Sequence, residues 1–245
     1  MSLAILFFAA LWAGAQNALA GGGSFITLPA LMFAGMDARA ANITSTVALF
    51  PGQITTAWTG RRLVTGDGPL PFRALVIISL IGGAIGAVLL LVTSATVFAR
   101  LVPWLVLFAT GVFAWGSFGP KSQSARRLGR SATAAAQFVI AIYGGYFGGG
   151  IGILMLAALT AAGFVIRAAG ATKNVLAAVM NASAFAIFLF SSEVRWLQAL
   201  ICGAGAIAGG IIGSLTLARV NETALRAFVI LVGVALTVGL FLRSH

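Results

Sequence analysis

The groups in this 245-residue chain best suited to chemistry are two runs of three glycines, Gly21-Gly22-Gly23 and Gly148-Gly149-Gly150. Each run lies between two apolar segments, where three consecutive glycines leave backbone polar groups without helical partners. At the start of a following helix, the free N–H groups of such a run form an anion site. Ser24 follows the first run, and its hydroxyl would cap that helix. The alternative is that the glycines only let neighbouring helices pack closely.

Two further segments, 40–60 and 169–190, carry polar side chains in an otherwise apolar chain. The candidates for a polar path are Asn42, Ser45, Gln53, Asn174 and Asn181. Asn174 and Asn181 are two helical turns apart and therefore share a face. Amides and hydroxyls inside a membrane often only join neighbouring helices, but as a set on matching segments these predict the lining of a path. Pro51 is expected to break its helix near the middle.

Lys173 is the charge of greatest interest, because it follows the second glycine run and lies near the start of a polar segment. A charge at membrane depth is costly and usually functional, so contact with an anion is one interpretation. The other is that the lysine extends to the membrane interface and helps to set the topology.

The side chains used in acid–base chemistry and metal binding are scarce. They are Asp37, Asp67, Glu193, Glu222, His245 and Cys202. No metal cluster or catalytic dyad can be assembled from them, so we expect no enzyme activity, no metal and no cofactor. A carboxylate proton relay of the kind that pumps use also has no evident members.

The composition indicates a membrane protein. Hydrophobic residues make up 60% of the chain and charged residues 8%, against about 25% charged residues in soluble domains. Several apolar stretches are long enough to approach or span a bilayer core of about 30 Å: 2–20, 72–94, 99–118, 132–147, 174–190, 196–218 and 223–242. The first lacks the basic start of a signal peptide and is therefore predicted to be a span. We expect an all-α, multi-pass protein whose partner is the lipid bilayer.

The net charge of +11 does not indicate nucleic-acid binding. Almost all of the basic residues lie between hydrophobic segments, where they set the topology of a membrane protein. We therefore expect no nucleic-acid partner.

A second pattern of glycines indicates a duplicated unit. One cluster recurs as another, 127 residues later, at the same offset as the glycine runs: Gly82, Gly83 and Gly86, then Gly209, Gly210 and Gly213. These clusters are interpreted as packing faces. The pattern predicts a first transmembrane repeat at 1–118, a basic cytoplasmic linker at 119–131 and a second repeat at 132–245. Aligned near an offset of 129, the polar segments pair Ser45 with Asn174 and Gly52 with Asn181.

The topology depends on two short apolar pieces, 24–36 and 151–163, each only about 20 Å long as a helix. If they cross the membrane, each repeat has five spans and the second repeat is inverted. If they re-enter, each repeat has four spans and the repeats are parallel. The inverted 5+5 arrangement puts eleven Lys and Arg residues inside and four outside, against nine and six for the parallel 4+4 arrangement. The positive-inside rule favours inversion, with one short or broken helix in each repeat.

These motifs together resemble a known family. The segment from Gly21 to Pro29, GGGSFITLP, is similar to the GGGG-x-hydrophobic-x-x-P signature of the TauE/SafE sulfite exporter family, also known as the TSUP transporters. The run YGGYFGGGIGILML from Tyr143 resembles the second signature, and GATKN from Gly170 resembles the segment that follows it. The first run has three glycines where many members have more. The resemblance covers nearly the whole chain and implies transport of sulfur-containing anions across a bacterial inner membrane.

The leading hypothesis is therefore a secondary transporter, in the export direction, for a small anion such as sulfite, an organosulfonate or thiosulfate. The glycine runs and helix starts would bind the anion near the membrane midplane, and Lys173 would supply positive charge. An anion channel, a transporter of another small organic anion and a non-transporting scaffold stay open as alternatives. Assembly into a homo-oligomer also stays open.

Overall fold

The computed structural model describes residues 2–19, 22–64, 68–118, 127–216 and 222–243. Within these ranges the chain forms ten α-helices and no strand, which confirms the predicted all-α class. The helices are α1 Leu3–Leu19, α2 Ser24–Phe33, α3 Ala38–Gly60, α4 Phe72–Val92, α5 Ala95–Phe118, α6 Arg130–Tyr146, α7 Ile151–Ala161, α8 Ile166–Phe188, α9 Trp196–Thr216 and α10 Glu222–Arg243. A short 3₁₀ turn, Arg61–Leu63, follows α3. The candidate Gly21 and residues 119–126 of the predicted linker lie outside the described residues.

Each half of the chain combines long apolar helices with one much shorter helix. Helices α4, α5, α8 and the Trp196–Gly213 part of α9 are long and apolar enough to cross a membrane. By contrast, α2 has 10 residues and α7 has 11, so each is only about 15 Å long. Each half of the chain thus contains the one short helix that was predicted. The residue boundaries of the two repeats stay predictions.

The two halves interlock. The fourth helix of each half packs on the first helix of the other, as α1 with α9 and α4 with α6. Helix α3 contacts both α8 and α9, and α8 correspondingly contacts both α3 and α4. The largest buried apolar cluster draws on both halves and includes Phe25, Phe113 and Phe188. The core is therefore shared by the halves.

The repeated GGxxG clusters make these contacts between the halves. A methyl group on Gly86 of α4 would collide with the carbonyl oxygen of Ile142 in α6. At the equivalent place, a methyl group on Gly213 of α9 would lie 2.6 Å from the carbonyl oxygen of Ala15 in α1. Backbones this close exclude any side chain, so the interpretation of these glycines as packing faces is confirmed.

The third helices of the two halves, α3 and α8, pack side by side and run antiparallel. The rings of Phe50 and Phe185 stack with centroids 4.5 Å apart. One turn further along α3, the Asn181 amide nitrogen donates to the Gln53 side-chain oxygen at 2.6 Å. As the contact positions rise along α3 they fall along α8, which defines the antiparallel direction.

The predicted alignment of these two helices was wrong by one residue. Helices α3 and α8 both have 23 residues, and both their starts and their ends are 128 residues apart. An offset of 128 pairs Gln53 with Asn181, and Ser45 with Lys173. Short glycine-rich segments align equally well at neighbouring offsets, whereas the helix ends fix the register.

Arg39 joins three elements at one end of the bundle. Its Nη2 donates to a Glu193 carboxylate oxygen at 2.5 Å, and its Nη1 donates to the carbonyl oxygen of Thr93 at 2.8 Å. The start of α3, the end of α4 and the loop after α8 therefore lie together. Parallel repeats would place the loop after α8 at the opposite end, so these contacts favour the inverted arrangement. The inverted orientation itself stays a prediction.

The expected break at Pro51 was wrong, because α3 is one continuous helix through this residue. Membrane helices tolerate proline where neighbouring groups satisfy the freed backbone. Just after the proline, the hydroxyls of Thr55 and Thr56 both donate to the Gly52 carbonyl oxygen, at 2.7 and 3.1 Å. These bonds add to the helix after Pro51 and do not replace the bond that its missing N–H would make to Val47.

Thiol labelling tests the orientation of the repeats. In a Cys202→Ala background, Ser192→Cys lies in the exposed loop after α8 and Ser131→Cys near the exposed start of α6. With inverted repeats and the linker inside, a membrane-impermeant maleimide should reach Ser192→Cys from outside and Ser131→Cys only from the cytoplasm. Labelling of both from the same face would support the parallel arrangement.

Alanine substitutions test the packing of the halves. We expect Gly86→Ala and Gly213→Ala each to destabilise the protein by about 1–3 kcal/mol, because neither site has room for a methyl group. Gly111→Ala is the matched control, since nothing lies within 4 Å of its added carbon. Thermal unfolding in detergent measures the difference, and equal unfolding temperatures for all three would contradict this account of the interface.

Candidate functional site

One small cavity forms where the starts of α2 and α7 meet the facing helices α3 and α8. Its volume is about 60 Å³, far below the 300–1,000 Å³ of pockets for drug-sized ligands, so its size suits a small ion. The lining residues are Asn17, Gly22, Ser24, Gln53, Thr56, Gly148, Ile151, Gly152, Lys173, Asn174 and Ala177. Six of the candidates from sequence are therefore together: Gly22, Ser24, Gln53, Gly148, Lys173 and Asn174.

Two helix starts with unpaired backbone donors line this cavity. The backbone N–H groups of Ser24, Ile151 and Gly152 make no hydrogen bond to any described residue. The first N–H groups of a helix lack intrahelical partners, and the helix dipole adds partial positive charge there. Two such ends in one cavity make it a place where negative charge is stabilised.

Glycine is required at both chain reversals that lead into these helices. Gly22 has φ of 88° and Gly150 has φ of 74°, a left-handed conformation that other residues adopt only at a cost. These two residues are 128 residues apart and fulfil the same role in each half. The glycine runs thus turn the chain sharply enough to aim a helix start inward.

The expected capping role of Ser24 was wrong. Ser24 is the first residue of α2, the N-cap position is Gly23, and no side chain caps this helix. The Gly23 N–H instead donates to the Asn17 side-chain oxygen at 3.0 Å. The Ser24 hydroxyl is therefore left at the cavity.

Sequence reasoning missed Asn17 and counted Thr56 only as one of the polar residues of segment 40–60, yet both line the cavity. Asn17 lies at the polar end of α1, immediately before the glycine run. A polar side chain beside a backbone break is a usable signal, because the break creates donors that need partners. Thr56 stands among several threonines of α3, and nothing in the sequence separates it from them.

Lys173 supplies the formal charge of the site. It is the eighth residue of α8, two turns from the helix start, and it forms no hydrogen bond or ion pair with a described residue. No acidic residue is among the described residues that line the cavity. The lysine and the two helix starts therefore contribute positive charge together, and no described lining carboxylate offsets it.

The structure places three other candidates in the protein interior. The Asn42 side-chain nitrogen donates to the Tyr146 carbonyl oxygen at 3.1 Å, and the Ser45 and Thr27 hydroxyls lie 2.6 Å apart. Asn181 is 4% exposed and binds Gln53. These polar groups are hydrogen-bonded to protein partners, and none of the three residues is among those that line the cavity.

The remaining described glycine candidates, Gly23, Gly149 and Gly150, make contacts with the protein and do not line the cavity. Gly23 is bound to Asn17, and the Gly149 carbonyl oxygen accepts a hydrogen bond from the Tyr143 hydroxyl at 2.8 Å. The α-carbon of Gly150 faces the backbone of Ala109 in α5, where an added methyl group would lie 3.2 Å from the carbonyl oxygen. Of the five described glycines in the two runs, Gly22 and Gly148 line the cavity.

Comparison with known proteins places the chain among membrane transporters. A family model described as "Sulfite exporter TauE/SafE" matches residues 6–240. A probable membrane transporter protein of Sinorhizobium sp. is 31% identical over 242 positions, covering 97% of this chain and 92% of the relative. One from Haemophilus influenzae is 29% identical, covering 96% and 92%, and one from Escherichia coli K12 is 28% identical, covering 99% and 91%. No solved structure matches. These relatives and the apolar helices confirm a multi-pass membrane protein.

Alanine at the two left-handed glycines tests the reversals. We expect Gly22→Ala and Gly150→Ala each to lower stability by about 1–2 kcal/mol, because an L-residue pays a steric cost at positive φ. Gly170→Ala is the control, as it is in α8 and has open space around the added carbon. Thermal unfolding in detergent measures the effect. Identical unfolding of the three variants would show that the reversals relax without strain.

Proposed function

Because the chain belongs to the TauE/SafE sulfite exporter family, we propose that it is a secondary transporter that exports small sulfur-containing anions, such as sulfite, organosulfonates or thiosulfate, across the bacterial inner membrane. The observation that carries this proposal is the cavity in which the starts of α2 and α7 meet Lys173. The anion would bind there without any metal or cofactor.

Each feature of the cavity favours a small negative ion. A charge beside a helix start is stabilised by about 0.3–1 kcal/mol when exposed and by up to about 2 kcal/mol when partly buried. Lys173 adds a full positive charge at the same place. Hydrogen bonds from charged or backbone donors to an oxyanion are short and strong. The absence of an acid among the lining residues removes the repulsion that an anion would otherwise meet.

The cavity lies towards one end of the helix bundle, and the Arg39 contacts close the other. Gln53 is 14 residues along α3 from Arg39, or about 21 Å at the rise of an α-helix. Buried residues fill the intervening part of α3, among them Ile43, Thr44 and Ser45. With the linker in the cytoplasm, inverted repeats put the cavity on the cytoplasmic side. Transport then requires the Arg39 end to open while the cavity end closes, as in other transporters with inverted repeats.

Voltage is sufficient to drive export. Moving one negative charge out of a cell with a negative interior releases about 2.3 kcal/mol per 100 mV. The described residues that line the cavity include no carboxylate, so the site offers no acidic group for carrying a proton with the substrate. An electrogenic uniport of the anion is the mechanism that this composition supports.

The competing function is an anion channel. A channel needs a continuous path, whereas a buried layer of α3 and the Arg39–Glu193 ion pair separate this cavity from the other end. The layer favours a transporter with alternating access. The kinetic difference is that a transporter saturates with substrate and a channel does not within the same range.

Flux measurements in proteoliposomes test the proposal. Purified protein should move sulfite, thiosulfate or a taurine-like sulfonate in a saturable way, and a membrane potential that is positive on the receiving side should accelerate the movement. Protein-free liposomes are the control for leakage, and sulfate completes the panel of ions. Flux that rises linearly with concentration would favour the channel. No flux of any of these ions would contradict the proposal.

Substitution of Lys173 tests the site. Lys173→Gln should raise the half-saturating concentration at least about tenfold, because the charged partner of the anion is lost. Lys173→Arg should keep most of the affinity. Arg167→Gln removes an exposed charge six residues earlier on α8 and outside the cavity, so it should leave affinity unchanged. Parental affinity in correctly inserted Lys173→Gln would assign the lysine to topology alone.

A further inference from the structure

Two amide side chains of the cavity have their oxygen atoms already occupied. The Asn17 oxygen accepts a hydrogen bond from the Gly23 N–H at 3.0 Å, and the Gln53 oxygen accepts one from the Asn181 side-chain nitrogen at 2.6 Å. A side-chain amide carries one acceptor oxygen and an NH₂ group with two donors. In both residues, then, the NH₂ group is the end left to bind a ligand.

The other fixed polar groups of the cavity are also donors. Lys173 can only donate, and the backbone N–H groups of Ser24, Ile151 and Gly152 are unpaired among the described residues. The described lining residues include no carboxylate that could accept a hydrogen from a bound ion. The remaining acceptors are neutral hydroxyl, amide and backbone oxygens. Among them, the Thr56 hydroxyl is tied to the Gly52 carbonyl at 3.1 Å.

We propose that this arrangement selects oxyanions that carry no O–H group over oxyanions that carry one, and that Asn181 is the positioning residue that maintains the selection. This inference rests on the proposed function, since it takes the cavity to be the place where the anion binds. A fully deprotonated oxyanion can accept from every fixed donor. An ion with an O–H group either sets its hydrogen against a fixed donor or must turn it to one of the few mobile acceptors, such as the Ser24 hydroxyl or the Asn174 amide oxygen. An unmatched buried donor is costly.

Asn181 is suited to this role because it lies behind Gln53 and outside the cavity. It is 4% exposed, and it occupies the position of α8 that is equivalent to Gln53 in α3. The hydrogen bond thus joins the two repeats at matching positions. Without the Asn181 donor, the Gln53 amide is free to turn its oxygen to the cavity and accept from an O–H group.

Competition between two ions of nearly the same shape measures the selectivity. Sulfite flux through proteoliposomes is recorded at mildly alkaline pH with increasing sulfate, which has no O–H group, or hydrogen phosphate, which has one. For the parent protein, we expect sulfate to inhibit at a concentration about tenfold lower than hydrogen phosphate. Equal inhibition by the two ions, including none by either, would overturn the inference. Absence of sulfite flux would instead count against the proposed function.

Substitution of Asn181 identifies the residue responsible. Asn181→Leu should bring the ratio of the two inhibitory concentrations close to one, whereas Asn181→Gln, which keeps an NH₂ donor, should preserve most of it. Asn42→Leu is the matched control, because it removes another buried amide hydrogen bond of α3 outside the cavity. It should change stability and leave the ratio alone. A parental ratio in Asn181→Leu would overturn the positioning role, and the parent comparison tests the selectivity even if this variant does not fold.

Discussion

The structure depends on one constraint, which is that a backbone broken inside an apolar environment must still satisfy its polar groups. The two glycine runs break the chain before α2 and before α7. The backbone N–H and C=O groups that lose their helical partners there end in different surroundings. Side chains satisfy some, as Asn17 does for the Gly23 N–H and Tyr143 does for the Gly149 carbonyl. Close backbone packing encloses others. Ser24 and Ile151, whose N–H groups make no hydrogen bond to a described residue, line the cavity, so the cavity is a direct result of the break.

Glycine also decides which helices of the molecule pack most closely against each other. Because Gly86 brings α4 against α6 and Gly213 brings α9 against α1, the tightest pairs contain one helix from each half. Two repeats joined in this way cannot separate as independent halves without exposing backbone to lipid. The surface left between the mixed pairs is the antiparallel contact of α3 with α8, where Phe50 stacks on Phe185 and Gln53 binds Asn181. That contact adjoins the cavity through Gln53, which is one of its lining residues.

The helices could be predicted closely from sequence, whereas the use of each polar side chain could not. Hydropathy is a one-dimensional property, and it located α4, α5 and α9 to within a few residues. Whether a polar side chain of α3 faces the cavity depends on helix rotation and on partners from the other half. Asn42 is held by Tyr146, 104 residues away, and Ser45 by Thr27. Sequence gives no distance between such partners, and a one-residue error in aligning α3 with α8 was enough to conceal the pairing of Gln53 with Asn181.

The two halves share a scaffold, but the site arises where they differ. At the correct register, Ser45 and Lys173 occupy equivalent positions in α3 and α8. Ser45 is buried and its hydroxyl is hydrogen-bonded to the hydroxyl of Thr27, so the first half is closely packed at this position of α3. Lys173 has no described partner and lines an open cavity. Equivalent helix starts of both halves line the same cavity, but only one half adds a lysine to its described lining. Under the proposed function, this difference at one pair of equivalent positions is what gives the shared cavity its formal positive charge.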